Sequence, residues 1–242
     1  MKPVDFVKII VNQYNNYQGV FKNHLNAEDY VPKTSDKKKA LFLFYVVQLD
    51  YATKSQRLYQ GAKELFNHQP NFYSPSFILS LSRKELKDFL STYLKPRYIN
   101  EAIERYQINS RMLSKEYNQN PLLIFKQSVT TQEILNKIRK FRGFGPKIGN
   151  FFVRTIINTY SFNYPDIEII LPPVDIHDVK IAYLMGYINS PKMTTQNINQ
   201  TKKVWSQACH QAGVSWLVFD KALWLFGSEA KPKSKEEILD LL

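Results

Sequence analysis

An all-α fold is what this sequence predicts, on three observations. Apolar residues recur at helical spacing in one segment after another. Three of those segments are preceded by a capping-box pattern, in which Ser or Thr is followed three residues later by Glu: Ser82 to Glu85, Thr130 to Glu133 and Ser234 to Glu237. No strand series competes with them, and the one β-like run is Ile167 to Leu171.

Taken in order, Pro3 to Tyr17 carries Val4, Val7, Ile10, Val11 and Tyr14 on one face and reads as a helix. Asn12 to Asn26 is a polar stretch rich in Asn, Gln and Tyr. Val31 to Lys39 is a loop ending in a cap at Ser35 or Asp36. Ala40 to Leu49 is apolar nearly all round, which places its helix at the centre of a core. Asp50 to Ser55 breaks that run before a second helix reaching Phe66, and Asn67 to Ser76 reads as a loop. Ser82 opens a helix through Leu94 that Lys95-Pro96 stops. Arg97 to Tyr117 is amphipathic, with Ile99, Ala102, Ile103, Tyr106 and Leu113 on one side. Thr130 starts a short helix with Ile134, Leu135 and Ile138, and a further helix covers Lys147 to Tyr160. Beyond Asp175 a helix is predicted to about Ile188, then Ile198 to Ala212 ended by Gly213, Leu217 to Phe226 ended by Gly227, and a short helix after Ser234.

Composition narrows the partners. The 242 residues suffice for one large globular unit or two small lobes. Thirty-three basic residues stand against 21 acidic ones, a formal charge of +12 that favours a polyanionic partner. The single cysteine, Cys209, excludes a disulfide framework and any cluster held by four cysteines. His24, His68, His177 and His210 show no metal spacing, so no metal or other cofactor is predicted. There is no secretory apolar segment, and Ala40 to Val47 is too short to span a bilayer. A soluble, intracellular protein (cytoplasm or nucleoid) with no membrane partner is the expectation.

The chemistry concentrates between Lys140 and Asp178. Gly143-Phe144-Gly145-Pro146-Lys147 joins two helical segments. Its glycines permit a turn with positive φ and close approach by another molecule. Pro146 suits the first helical position, and a turn of backbone N–H groups there cradles an anion. Lys147 then sits in the first helical turn, where the macrodipole disfavours its ammonium by ~0.3–1 kcal/mol. Part burial would disfavour the charge further, and a neutral amine is a nucleophile. The alternative is a surface lysine reaching a phosphate. A second patch, Leu171-Pro172-Pro173-Val174-Asp175-Ile176-His177-Asp178, brings Asp175 to the start of the next helix. Asp175 reads as an N-cap, as a carboxylate aimed into a site, or as both.

The order of these parts resembles the helix-hairpin-helix DNA glycosylase superfamily, which includes endonuclease III. The carrying motifs are the glycine–proline–lysine hairpin, the apolar helix after it and Val174-Asp175-Ile176-His177. Lys147 and Asp175 are separated by 175 − 147 = 28 residues. That long spacing looks more like the archaeal GO glycosylases, a branch acting on 8-oxoguanine. Lys203-Val204-Trp205 and Asp220-Lys221-Ala222-Leu223-Trp224-Leu225-Phe226-Gly227 are similar to that branch's tail segments. The resemblance is good from about Ile134 to Ala230 and looser from Lys39 to Phe66. Some superfamily members hold an iron–sulfur cluster, which one cysteine cannot build.

By that resemblance the fold is a single unit of two lobes with a lesion cleft between them. Residues 36–128 would form one helical lobe. Residues 1–35 with 129–242 would form the lobe carrying the hairpin, 134–159, and the catalytic Asp. The implied function is a bifunctional DNA glycosylase and AP lyase for base excision repair. It would remove 8-oxoguanine from double-stranded DNA as a monomer, through a Schiff base on Lys147 with Asp175 as the catalytic carboxylate. Phe151, Asp220, Trp224 and Tyr59 would line the base pocket, Tyr59 standing where the branch has a stacking tryptophan. Gly143, Gly145 and His177 would meet DNA phosphates, although His177 also reads as an exposed residue of a helix's first turn. Gln48 and Tyr51 are alternatives for a wedge into the duplex. Two other readings share these features: a glycosylase-lyase for oxidised pyrimidines like endonuclease III, and a non-catalytic hairpin protein that binds DNA.

Overall fold

The computed structural model describes residues 1–23, 27–50, 53–167 and 174–242. Among the described residues the regular structure is helical throughout, with no strand. In chain order the helices are α1 (Pro3–Asn15), α2 (Asp36–Val47), α3 (Ser55–His68), α4 (Pro75–Ser80), α5 (Arg83–Phe89), α6 (Ile99–Tyr117) and α7 (Leu122–Lys126). They continue with α8 (Thr131–Ile138), α9 (Pro146–Tyr160), α10 (Ile176–Leu184), α11 (Thr195–Ala212), α12 (Trp216–Leu225) and α13 (Lys235–Asp240). Tight 3-10 turns cover Gly19–Phe21 and Ala27–Tyr30, and wider π-helical turns extend α5 over Leu90–Leu94 and α12 over Phe226–Ala230. His24, Tyr51, Pro172, Pro173 and all of the β-like run except Ile167 lie outside the described residues.

Packing divides the chain into two compact units, Leu25–Ile167 and Met1–His24 with Glu168–Leu242. In the first, α2 is the axis, because every residue from Ala40 to Val47 is buried. Phe44 is its hub: the rings of Phe141 and Phe144 lie 5.2 Å away and that of Phe152 5.6 Å. These contacts seat the α8–α9 hairpin on α2, and a buried Phe is worth about 1.5–3 kcal/mol over leaving it in water. On another side Tyr45 bonds Ser110 at 2.6 Å, and the Tyr106 hydroxyl donates to the Tyr45 carbonyl at 2.9 Å. Both bonds fix α2 against α6. Helix α8 is capped by the Thr130 hydroxyl and again by Asp166, whose carboxylate accepts the N–H groups of Thr131 and Gln132 at 2.7 and 2.9 Å.

The second unit is built around Trp205 of α11. Phe6 stacks on it at 5.5 Å, while Phe219 and Tyr187 lie 5.2 and 5.6 Å away. Helix α1 packs along α11 and α12 and is tied to the C-terminus by Gln13, which donates to the Leu242 carbonyl at 2.7 Å. Helix α10 packs against α11, α12 and the Phe226–Ala230 turn. It ends at Leu184, earlier than the Ile188 predicted, because Gly186 takes φ +77° two residues on. No helix among the described residues is long and apolar enough to cross a membrane.

Candidate functional site

The hairpin turn is built by two glycines with different jobs. Gly143 has φ +86°, and a Cβ there would sit 2.8 Å from Cδ and Nε of Arg105. Both the left-handed backbone and the close approach demand glycine. Gly145 has φ −67° and ψ −177°, ordinary extended backbone, and a Cβ there would meet nothing within 4 Å. Nothing within its own unit therefore requires glycine at 145, and the positive φ anticipated for both glycines applies to one. Gly145 is the N-cap of α9 and has no side chain to offer that first turn. Lys147 follows two residues later and is exposed rather than partly buried.

The turn is held from behind by a polar network on α2 and α6. Asn109, fully buried, accepts the Arg142 N–H at 2.9 Å and donates to the Arg142 carbonyl at 2.9 Å. It also donates to Gln48 Oε1 at 3.0 Å. Arg105 donates to the Gln48 carbonyl at 2.9 Å and to Glu101 at 3.0 Å. The Arg142 guanidinium is drawn to Glu101 and Glu104, each at 2.8 Å. Hydrogen bonding from Arg142 holds the Glu101 carboxyl below its ordinary value. Gln48 is wholly buried and gives its amide to the Phe44 carbonyl at 3.2 Å, so it is no wedge into a duplex.

The other predicted residues of this unit lie on α3 and α9. Phe151 is half-buried one turn after Lys147, and the Arg154 guanidinium sits over its ring at 5.1 Å. Tyr59 is buried, its ring stacked 5.7 Å from that of Tyr30. Burial, together with the negative charge of Asp50 and Glu28, raises its hydroxyl well above the ordinary tyrosine value. Charge also gathers in this unit: residues 25–167 contain 22 basic and 12 acidic side chains, a formal +10 of the chain's +12.

In the other unit Asp175 is the N-cap of α10. Its Oδ1 accepts the N–H groups of His177 and Asp178 at 2.7 and 3.3 Å, and Asp178 Oδ2 accepts the Asp175 N–H at 2.6 Å. Two carboxylates thus close a reciprocal box around one helix start, which fixes the backbone that carries Asp175. The Asp178 carbonyl also receives the Trp205 indole N–H at 3.4 Å, tying the box to the core. His177 is half-buried against the Phe226–Ala230 turn, where a Cβ on Gly227 would lie 2.6 Å from the His177 Cβ. Asp220 is buried, with 9% of its surface exposed, and Trp224 one turn later is half-buried. Their helix packs against α10, so Asp175, His177, Asp220 and Trp224 stand on elements in mutual contact. A hollow of about 360 Å³ in the same unit is lined by Ser206, Gln207, Cys209, His210, Gln211 and Trp216, none of them among the predicted residues.

Asn109, Arg105 and Asp178 were not singled out by the sequence. Asn109 had a signal, being a polar residue on the stripe Ala102, Tyr106, Leu113 that α6 buries. Asp178 had one too, as the acidic residue three places after an N-cap. Compared with known proteins, the chain matches no family profile and no curated protein.

Proposed function

We propose that this chain is a helix-hairpin-helix DNA glycosylase and AP lyase that removes 8-oxoguanine from duplex DNA. The observation that carries the proposal is the hairpin itself. Gly145 is a glycine that its own unit does not need, standing open at the N-terminus of α9 beside an exposed lysine, within a unit of formal charge +10. A backbone left bare at a helix start suits a phosphate oxygen. The reading brings with it a two-lobed architecture and a monomer working inside the cell without a cofactor.

In this proposal a nucleotide flips out of the stack, and Phe151, Asp220 and Trp224 are the residues that the resemblance assigns to recognition of its base. The Lys147 amine attacks the anomeric carbon. The new C–N bond forms as the bond to the base breaks, and the base leaves with that electron pair. Asp175 stabilises the positive charge developing on the sugar, from a backbone already fixed by its capping box. The nitrogen's proton goes to the departing base. The C1′–O4′ bond then opens with its electron pair to O4′, which takes a proton. The protonated Schiff base so formed acidifies the neighbouring sugar carbon. Loss of that proton expels the 3′ phosphate and cuts the strand.

Substrate class is tested by single-turnover base release from duplexes carrying 8-oxoguanine, thymine glycol or uracil. Fastest release of 8-oxoguanine, lost in Trp224→Ala and reduced in Asp220→Asn, supports the proposal. Faster release of thymine glycol moves the chain to the endonuclease III-like reading. Binding without release from any duplex leaves a non-catalytic hairpin protein.

A further inference from the structure

We infer that Asn109 is the positioning residue of the hairpin, a buried amide on α6 that pre-forms the turn on which Gly145 and Lys147 are presented. The inference rests on the proposed role of that hairpin in gripping DNA. Asn109 treats Arg142 much as one base treats another, taking its N–H and returning an N–H to its carbonyl, both at 2.9 Å. Arg142 immediately precedes Gly143, the residue whose backbone turns left-handed. The amide's remaining donor contact, to Gln48 Oε1 at 3.0 Å, anchors it to α2. Gln48 is anchored in turn by its bond to Phe44, the hub of the core.

The aromatic contacts seat the hairpin on the core, and Asn109, with no solvent exposure, fixes the backbone of its turn from the packed interior. A loop that must order itself on binding loses affinity to the ordering, whereas a pre-formed one does not. Leu113 shares the stripe of α6 on which Asn109 lies and shows that an apolar residue suits this face. An amide there is explained by the backbone it reads.

The test uses the full-length protein and the substitution Asn109→Asp. An ionised carboxylate still accepts the Arg142 N–H but faces the Arg142 carbonyl and Gln48 Oε1 with no hydrogen to give. When protonated it regains one O–H donor. Burial and the two facing acceptors favour the protonated form, opposed by the Arg142 N–H and by the charge of Arg105 beside it on α6. The neighbouring acids, Glu101 and Glu104, are turned to Arg142. Binding to an undamaged duplex is measured by fluorescence anisotropy at pH 8 and pH 5.5, always as a ratio to wild type at the same pH.

The expected result is about tenfold weaker binding at pH 8, the scale of one lost hydrogen bond to a buried partner, and recovery to within about twofold at pH 5.5. Asn109→Ala, with no donor at any pH, should stay weak at both. A merely structural residue would give the same ratio at both pH values for Asn109→Asp, and that result overturns the inference. So does wild-type affinity in either variant at pH 8. Failure of wild type itself to bind duplex DNA is a different outcome: it removes the proposed function and the inference together.

Discussion

Replacing each hairpin glycine by alanine separates what the fold needs from what a ligand needs. Gly143→Ala forces a Cβ into a backbone at φ +86°, at about 1–2 kcal/mol for the left-handed conformation. The same atom lies 2.8 Å from Arg105, which must move off its bonds to Glu101 and the Gln48 carbonyl. Losing one of those adds about 1–2 kcal/mol. The sum of about 2–4 kcal/mol should lower Tm by roughly 5–15 °C for a chain of this size. Gly145→Ala meets neither cost, since its φ is −67° and no atom lies within 4 Å of the new Cβ. Its Tm should stay within about 2 °C of wild type, as expected of a surface change near ±0.5 kcal/mol. Duplex binding by Gly145→Ala should nevertheless fall about tenfold, the scale of one charge-assisted hydrogen bond, and equally for every sequence. Calorimetry and anisotropy on the two variants decide it. A Tm loss in Gly145→Ala matching that of Gly143→Ala would refute the division of roles, and unchanged binding would refute the phosphate.

Three further outcomes follow from the geometry. Desolvation raises the Asp50 carboxyl above its ordinary value, against the opposing effects of Ser55, Tyr59 and the Lys147 charge. The native state thus holds that proton more tightly than the unfolded chain, and stability falls as pH rises through the raised value. Asp50→Asn should therefore be stabilising at pH 7–8, with the gain fading towards pH 4; a gain that grows in acid, read from denaturant midpoints, would contradict the sign. Asp175→Asn keeps an oxygen to accept the His177 N–H, so DNA binding should persist while base release falls by about two orders of magnitude or more. Equal loss of binding would make Asp175 a structural cap alone. Duplex affinity should also fall steeply with salt, the log–log slope counting the phosphates neutralised, and a flat dependence would remove the electrostatic footing.

Local punctuation made much of this fold legible. Ser82 and Glu85 form a complete capping box, and Pro146 takes the first helical position of α9 as its motif predicts. Thr130 and Ser234 cap their helices as the motif predicts, yet the partner acids reach one residue further back, to the N–H groups of Val129 and Lys233. The all-apolar run after Lys39 is buried at every position, as a helix without a polar face must be. Helices α4 and α7 were not legible, since six and five residues are too few to show a period.

Site chemistry divides in the same way. Gly143 to Lys147 announces itself because turn residues act locally. Asn109 lies 33 positions from the residue it holds, and only packing reveals that pairing. Asp220 enters from sequence only through the resemblance, and its burial at 9% exposure is visible only in the packing. Tyr59 offers a ring in principle, but Tyr30, far away in sequence, already stacks on it.

The central claim is that Lys147 forms a covalent bond to DNA, and borohydride trapping reads that bond directly. Wild type, Lys147→Gln and Asp175→Asn are each incubated with a duplex carrying 8-oxoguanine, reduced, and resolved on a denaturing gel. A cross-linked species of protein and DNA in wild type, absent from Lys147→Gln although that variant still binds the duplex, is the predicted result. Trapping of Lys147→Gln as efficient as that of wild type would contradict it.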